Sequence, residues 1–409
     1  MSRTARKEHS PIANECAGDT GNALYGLTIV CIGSADWDAD VWTNQQHLMS
    51  RLAKTNRVVF VESLGLRRPQ LAATDVKRAL RRFLKALAPP HTQNGVCVVS
   101  PLVIPLHSNP LLRKLNEILL KAQVKHAARR LGQPDVLWSY VPQAESLIDA
   151  LDPKVCVYHC VDDIAAQRGV HAESFRACEA RFASKVQLVL ASSPSLAQRM
   201  LDLSPHVVYV PNVCDHKLFE TALHPGAVDP AVEALPRPRI IYTGAIVQTK
   251  VDFELLVGLA RARPQWSFLL VGPVGAGDPS SDISALEAQP NIYLLGPRAH
   301  AELPRVLRGA DAGLIPYALT ELTRSVFPMK AYEYLAAGLA VMSTPLPALE
   351  GIRHITQASG ATAMANGLEA LLASDNLGER RLRSSVASQH SYGARLEEIA
   401  GALGPLLSD

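Results

Sequence analysis

The sequence predicts an α/β protein made of two parallel sheets, each covered by helices on both faces, with a cleft between them. Three observations predict it. Short apolar runs rich in β-branched residues alternate with helix-period segments along nearly the whole chain. The length, 409 residues, exceeds one ordinary domain and suits two of roughly 200 residues each. A loose stretch from Ala222 to Pro238 carries four prolines and divides the alternation into two series.

In the first series the expected strands are Leu27–Ile32, Val58–Glu62, Val96–Val99, Val136–Ser139, Val155–His159, Leu188–Ala191 and Val207–Val210. Helical patterns fill the gaps at 41–54, 74–87, 109–131, 142–151, 172–184 and 194–202. The second series predicts strands Ile240–Tyr242, Ser267–Val271, Ile292–Leu295, Ala312–Ile315 and Ala340–Ser343. Its helices fall near 252–263, 301–308, 328–336, 347–352, 366–373 and 391–406. No period of 20–50 residues recurs, which argues against a solenoid. The expected division is a disordered leader at 1–24, a first Rossmann-like domain at 25–220, a linker at 221–237, a second Rossmann-like domain at 238–390 and a last helix at 391–409.

Composition narrows the class. Apolar residues make up 48% and charged residues 19%, so a large core forms and extensive disorder is excluded. Mean hydropathy is high at +0.07, yet no apolar run approaches the roughly 18–20 residues of a membrane span. The polar first twenty residues lack the apolar core of a signal peptide. Seven cysteines, an odd number with no Cys-x-x-Cys pair, fit reduced thiols and a cytoplasmic chain.

The richest segment runs Ser325-Val-Phe327-Pro328-Met-Lys330-Ala-Tyr-Glu333-Tyr334-Leu-Ala-Ala-Gly338. A loop with a proline and a lysine leads into a short apolar helix that holds one carboxylate and stops at a glycine. The lysine and the helix N-terminus would face one point, where N–H groups and the dipole favour an anion. Glu333, one turn further in, would accept hydrogen bonds from sugar hydroxyls. A nucleotide diphosphate with its ribose suits that pairing, although a plain βα unit with a surface Lys–Glu pair would read the same.

This segment resembles the donor-binding segment of GT-B glycosyltransferases, in particular the retaining family 4 and its relatives in bacterial surface-polysaccharide synthesis. The family carries two glutamates eight positions apart: the later binds the ribose and the earlier the donor sugar. Glu333 occupies the later position and Ser325 the earlier one, a departure that brings no charge. Pro328, Lys330, Glu333, Tyr334 and Gly338 look like the Pro-x-Lys-x-x-Glu-Tyr-Leu-Ala-x-Gly variant of that superfamily. Pro211-Asn212-Val213-Cys214-Asp215 with Phe219 is similar to the motif that closes the family's first domain. Asp311, Gly313, Pro316 and Tyr317 match its Ala-Asp-x-x-x-x-Pro strand. The resemblance implies two domains around a central cleft, a terminal helix that crosses back, transfer with retention, and a nucleotide-diphosphate sugar as co-substrate with no cofactor and no bound metal.

Ligands in open α/β sheets bind outside the carboxyl ends of the strands, and the remaining candidates follow strands. Gly33, Asp36, Trp37 and Asp38, after the first strand, resemble a loop bordering acceptor and donor; helix capping by Asp38 or Asp40 is the alternative. Asp162, with Asp163 and His159 behind it, would orient the acceptor hydroxyl or stabilise developing positive charge. N-capping by either carboxylate, or a satisfied strand histidine, remains the bland alternative. After the second series opens, Gly244 and Lys250 match the family's glycine and lysine, whereas Ala245 replaces its arginine. Gly272-Pro273 and Gly296-Pro297-Arg298 end two further strands, and Arg298 is expected near the nucleotide base.

Segment 67–130 holds thirteen Lys/Arg against Asp75 and Glu117, while the whole chain is only +3. Val76, Leu80, Phe83, Leu84 and Leu87 share one helical face ringed by Arg78, Arg81, Arg82 and Lys85. Such basic amphipathic stretches, at 74–87 and 113–130, suit an anionic membrane surface and a peripheral position on the inner face of the plasma membrane. A solvated face packed on the sheet would look alike. Nucleic acid is disfavoured, because no stacking aromatics accompany the charge. The function expected is transfer of a sugar from a nucleotide-diphosphate donor to a polysaccharide or lipid-linked acceptor. The alternatives are a nucleotide-sugar epimerase of the same fold and a non-catalytic scaffold of a synthesis complex.

Overall fold

The computed structural model describes residues 24–39, 42–64, 85–86, 88–102, 110–167 and 169–408. The expected leader as far as Ala23, Asp40, and the basic helix over 74–87 apart from Lys85 and Ala86 lie outside the described residues.

Two sheets form. The first contains β1 (Thr28–Ile32), β2 (Arg57–Val61), β3 (His91–Gln93), β4 (Val96–Val99), β5 (Val136–Ser139), β6 (Val155–Cys160), β7 (Leu188–Ala191) and β8 (Val207–Tyr209). Their order is β3-β4-β2-β1-β5-β6-β7-β8, with every pairing parallel except β3 on β4. The second contains β9 (Arg239–Thr243), β10 (Ser267–Val271), β11 (Ile292–Leu294), β12 (Ala312–Ile315), β13 (Ala340–Ser343) and β14 (Ile355–Gln357), all parallel in the order β11-β10-β9-β12-β13-β14. In both sheets the first strand is central and the order reverses beside it, between β1 and β5 and between β9 and β12. Those reversals open the crevices in which doubly wound sheets place ligands.

The strands read as continuous apolar runs because both faces are covered; β1, β6, β7, β9, β10, β12 and β13 are buried at every position. One core surrounds the second sheet, and the first sheet has a core on each face. The helix Tyr392–Ser408 belongs to the first sheet: Tyr392, Ile399 and Leu403 are buried in the same cluster as Cys31, Trp138 and Val157.

Elements that differ from the sequence reading include two strands, a turn and a helix, besides the four-residue helices His216–Phe219, Pro230–Glu233, Ser284–Glu287 and Glu321–Arg324. β3 and β14 are three-residue edge strands, too short and too polar to give an apolar run. Residues 347–352 form only a single turn of 3₁₀ helix, Pro347–Leu349, since Pro347 starts it and Gly351 adopts a left-handed conformation (φ 75°). The helix Leu377–Ser388, capped by Asn376 on the Glu379 N–H, escaped notice because three arginines mask its apolar stripe. It packs on the helix Lys330–Ala336, and Arg383 donates to Gly338 O at the end of that helix (2.9 Å).

Candidate functional site

The loops after β9 and β12 are laced together. Asp252 N donates to Pro316 O (2.8 Å) and Ala318 N to Lys250 O (2.9 Å), so Lys250 sits beside Tyr317. Gly244 (φ 130°) and Gly272 (φ 152°) follow adjacent strands with backbones so close that a Cβ on Gly272 would strike Gly244 O. Gly272 is therefore required by backbone approach as well as by dihedral angle, and Gly244 by its dihedral angle.

Lys330 opens its helix pointing into this corner. Its Nζ donates to Tyr317 Oη (2.7 Å) and lies over the rings of Tyr242 and Tyr317, 4.9 and 4.8 Å from their centroids. The two aromatic faces hold the ammonium by cation–π attraction. Tyr317 itself is pushed up by burial, but the positive charges of Lys330 and Lys250 outweigh this and leave its hydroxyl below the ordinary tyrosine value. Glu333 is 8% exposed and makes no side-chain hydrogen bond among the described residues. Burial lifts its carboxyl to about 7, against the opposing pull of Lys330. Lys330 and Glu333 are thus buried together, which removes the surface-pair reading of this segment. The helix is only seven residues long, so the lysine rather than a long dipole supplies the positive charge.

From the first sheet, the loop after β6 brings Asp162 opposite. Burial raises its carboxyl, Lys250 opposes that and Asp163 adds to it, so Asp162 faces the second sheet's cationic corner. Asp162, Lys250, Tyr317, Lys330 and Gly244 therefore come together. The loop ahead of the helix is also buried: Ser325, Phe327 and Pro328 are covered, and Phe327 stacks on Tyr332 with centroids 5.4 Å apart. Phe327 offers its backbone carbonyl, rather than its ring, to the other half: Asn212 Nδ2 donates to Phe327 O (2.7 Å).

Several expected site residues stand elsewhere. Asp163 neither faces the crevice nor caps a helix; it is buried and paired with Arg176 (2.7 Å), which also reaches Glu179 beneath β6. Glu179 in turn accepts from Tyr158 Oη (2.7 Å) and pairs with Arg199. His159 is fully buried and stacked on Tyr140 (4.8 Å), and burial lowers its pKa to about 3, so it is a neutral core ring. Trp37 is 1% exposed and packs edge-on against Phe60 (4.9 Å), and its backbone N–H donates to Glu62 (2.8 Å). Gly33 is needed there because a Cβ would collide with the Phe60 ring. Asp36 is half-buried, with its carbonyl accepting from Gln46; Asp38 is exposed and pairs with Lys85 (2.8 Å). The helix after this loop is preceded by Thr43, so neither aspartate caps it. Arg298 is committed to Asp229 (2.8 Å) and Leu295 O (2.7 Å), which ties β11's loop to the segment before β9. Sequence reasoning omitted Tyr242, Tyr317 as a site residue, and Asn212. The spacing of Tyr317 one residue past the Pro316 strand end was the available signal; Tyr242, inside a strand, gave none.

Residues 237–374 match the family model described as Glycosyl transferases group 1. The fold as a whole is similar to sucrose-phosphate synthase from Thermosynechococcus elongatus, with TM-score 0.68 and 16% identity over 93% of this chain and 99% of that one. Anabaena Alr3699/HepE in complex with UDP-glucose superposes with TM-score 0.65 and 15% identity, covering 93% of this chain and all (100%) of the other. The chain has the GT-B fold. In this GT-B protein the second sheet lies within the stretch that this family model matches. The putative teichuronic acid biosynthesis glycosyltransferase TuaH of Bacillus subtilis (strain 168) is 37% identical over 103 residues, 25% of this chain and 25% of its own length. The match thus spans about a quarter of that curated relative. No helix among the described residues of the GT-B chain is long and apolar enough to cross a membrane.

Proposed function

We propose that this protein transfers a glycosyl unit from a nucleotide-diphosphate sugar to a hydroxyl of a polysaccharide or lipid-linked acceptor in cell-surface polysaccharide synthesis. The observation that carries the reading is the buried pair formed by Lys330, caged by two tyrosines, and Glu333, whose carboxyl makes no side-chain hydrogen bond among the described residues. A charge buried without a partner is costly, and a ligand supplying hydroxyls relieves that cost. Glu333 accepts from the ribose. Lys330 and Lys250 meet the diphosphate, with Gly244 giving it room beside Lys330, and Ala245 in the arginine position leaves these two lysines the larger share. Ser325, with the Phe327 and Pro328 backbone, borders the donor sugar. Asp162, held across from Lys250, faces the reacting carbon and the acceptor hydroxyl, and transfer proceeds with retention. Anionic charge on the donor is met by side chains and amides without a cofactor. The TuaH match supports the polysaccharide setting, and the UDP-glucose complex of HepE supports the donor class.

The enzyme works in the cytoplasm, at the inner face of the plasma membrane. The helix Pro110–Arg129 exposes Leu115 (41%) and Ile118 (57%) beside Lys114, Lys125 and Arg129, a mixed basic and apolar face suited to anionic lipid. Titration calorimetry with UDP-, GDP- and ADP-sugars tests the donor. Micromolar binding of one class with slow donor hydrolysis is expected. Heatless titrations throughout would favour the non-catalytic scaffold, the reading that Ala245 and Ser325 favour by carrying no charge where the family does.

A further inference from the structure

Two carbonyls of the loop that precedes Lys330 are held from the opposite half of the molecule. Ser195 Oγ, at the start of the helix after β7, donates to Arg324 O (3.4 Å), and Asn212 Nδ2, just past β8, donates to Phe327 O (2.7 Å). Asn212 is itself held. Its Oδ1 accepts from Asn44 Nδ2 (2.5 Å), and Asn44 Oδ1 accepts from Tyr392 Oη (2.8 Å). Every donor in this series points the same way, from Tyr392 through Asn44 and Asn212 to the loop. Asn44 and Tyr392 are 6% and 3% exposed, so water competes little and successive bonds polarise one another. Tyr392 is fixed in turn by Arg51, whose guanidinium lies 4.1 Å above its ring and pairs with Asp215 (2.6 Å). Four chain segments therefore meet in one line: the first helix, the strand-end motif, the terminal helix and the loop.

We propose that Asn212 and Asn44 are positioning residues, with Tyr392 as their anchor, which hold the loop 324–328 and the first turn of the Lys330 helix in binding geometry only while the two halves are closed. The proposal rests on the glycosyltransferase reading for its effect on donor, but not for its effect on the loop. When the halves separate, Phe327 O loses its donor and the loop is released, so donor affinity and closure become one equilibrium. A side chain of the first half thereby sets the affinity of a site whose contacts lie in the second.

Hydrogen–deuterium exchange on the full chain decides the loop claim without any donor. The probes are the Ala331 and Tyr332 amides, bonded to Pro328 O (3.1 Å) and Met329 O (3.1 Å). Asn212→Ala and Asn44→Ala should speed their exchange about tenfold, and Tyr392→Phe by a smaller factor, while amides of β10 keep wild-type rates. Wild-type rates at 331–332 in both asparagine variants would overturn the proposal. Kinetics with the sugar nucleotide that wild type uses give the second reading. Asn212→Ala should raise the donor KM about tenfold with kcat within about twofold, and Asn212→Ala/Tyr392→Phe should be less than additive. A lower kcat at unchanged KM would mean mere loss of folded enzyme and would also overturn it. Should Asn212→Ala not fold, Tyr392→Phe, which removes one hydroxyl far from the loop, decides by the same exchange measurement. If wild type uses no sugar nucleotide, the function reading fails while the exchange result still judges the loop.

Discussion

Glu333 is where burial and chemistry conflict most openly. Its carboxyl ionises near 4.5 in the unfolded chain and near about 7 in the folded one, because burial penalises the charge. Below pH 4.5 the group is protonated in both states and its contribution is fully present; as pH rises through 7 it must ionise in place, and that contribution is lost. The difference amounts to about 3 kcal/mol. The melting temperature of the ligand-free protein should therefore fall between about pH 4.5 and 7, and Glu333→Gln should flatten that slope in a calorimetric scan. Donor binding should run the other way, because ribose hydroxyls need the ionised acceptor: donor KM improves as pH rises through about 7, and Glu333→Gln loses this trend. Lys330→Met removes the caged ammonium, and the expected result is a donor affinity too weak for calorimetry with the fold retained by circular dichroism. Asp162 lies across from Lys250 and is assigned to the reacting carbon and the acceptor rather than to the nucleotide. Asp162→Asn should thus lower kcat by about 100-fold with donor KM within about twofold.

At the scale of elements, the long apolar strands and the Lys330 helix were legible because burial on two sides leaves an unmistakable run. The short edge strands β3 and β14 were not, since one face is open and polar residues suffice there. Strand-end motifs named Asp162, Gly244, Lys250, Lys330 and Glu333, which the structure brings to one neighbourhood, because a parallel sheet delivers every such loop to one edge. They also named His159, Asp163, Trp37 and Arg298, which the structure places elsewhere. Sequence position says that a side chain leaves a strand end, but not to which side it turns, and partners such as Arg176 and Asp229 lie 13 and 69 positions away. The Arg176–Asp163–Glu179 network explains why the two adjacent aspartates part company: one is fastened beneath β6, leaving the other in the crevice. Arg176→Ala leaves Asp163 buried and unpaired, with a third of the arginine's own side chain exposed. A loss of about 2 kcal/mol in urea unfolding is expected, together with a drop in kcat as the Asp162 loop drifts.

Across the whole molecule, the terminal helix makes the chain fold back on itself. Ile399→Ala should cost about 2–4 kcal/mol in the first half alone. Trp37, Trp42 and Trp138 report on that half by fluorescence and Trp266 on the other, so the early part of the emission change should shift to lower urea while the second sheet's transition stays. The proposed membrane attachment also belongs to this scale: Ile118→Asp should abolish co-sedimentation with phosphatidylglycerol vesicles without altering donor binding. Because Ile399 and Leu403 complete the core of β1, β5 and β6, the amino-terminal half stays unfinished during synthesis until the last turns have cleared the ribosome. The later sheet, whose cluster ends at Ala387, can settle first. Birth order and maturation order are thus reversed in this polypeptide, and a nascent chain halted before residue 392 would expose that greasy flank to chaperones.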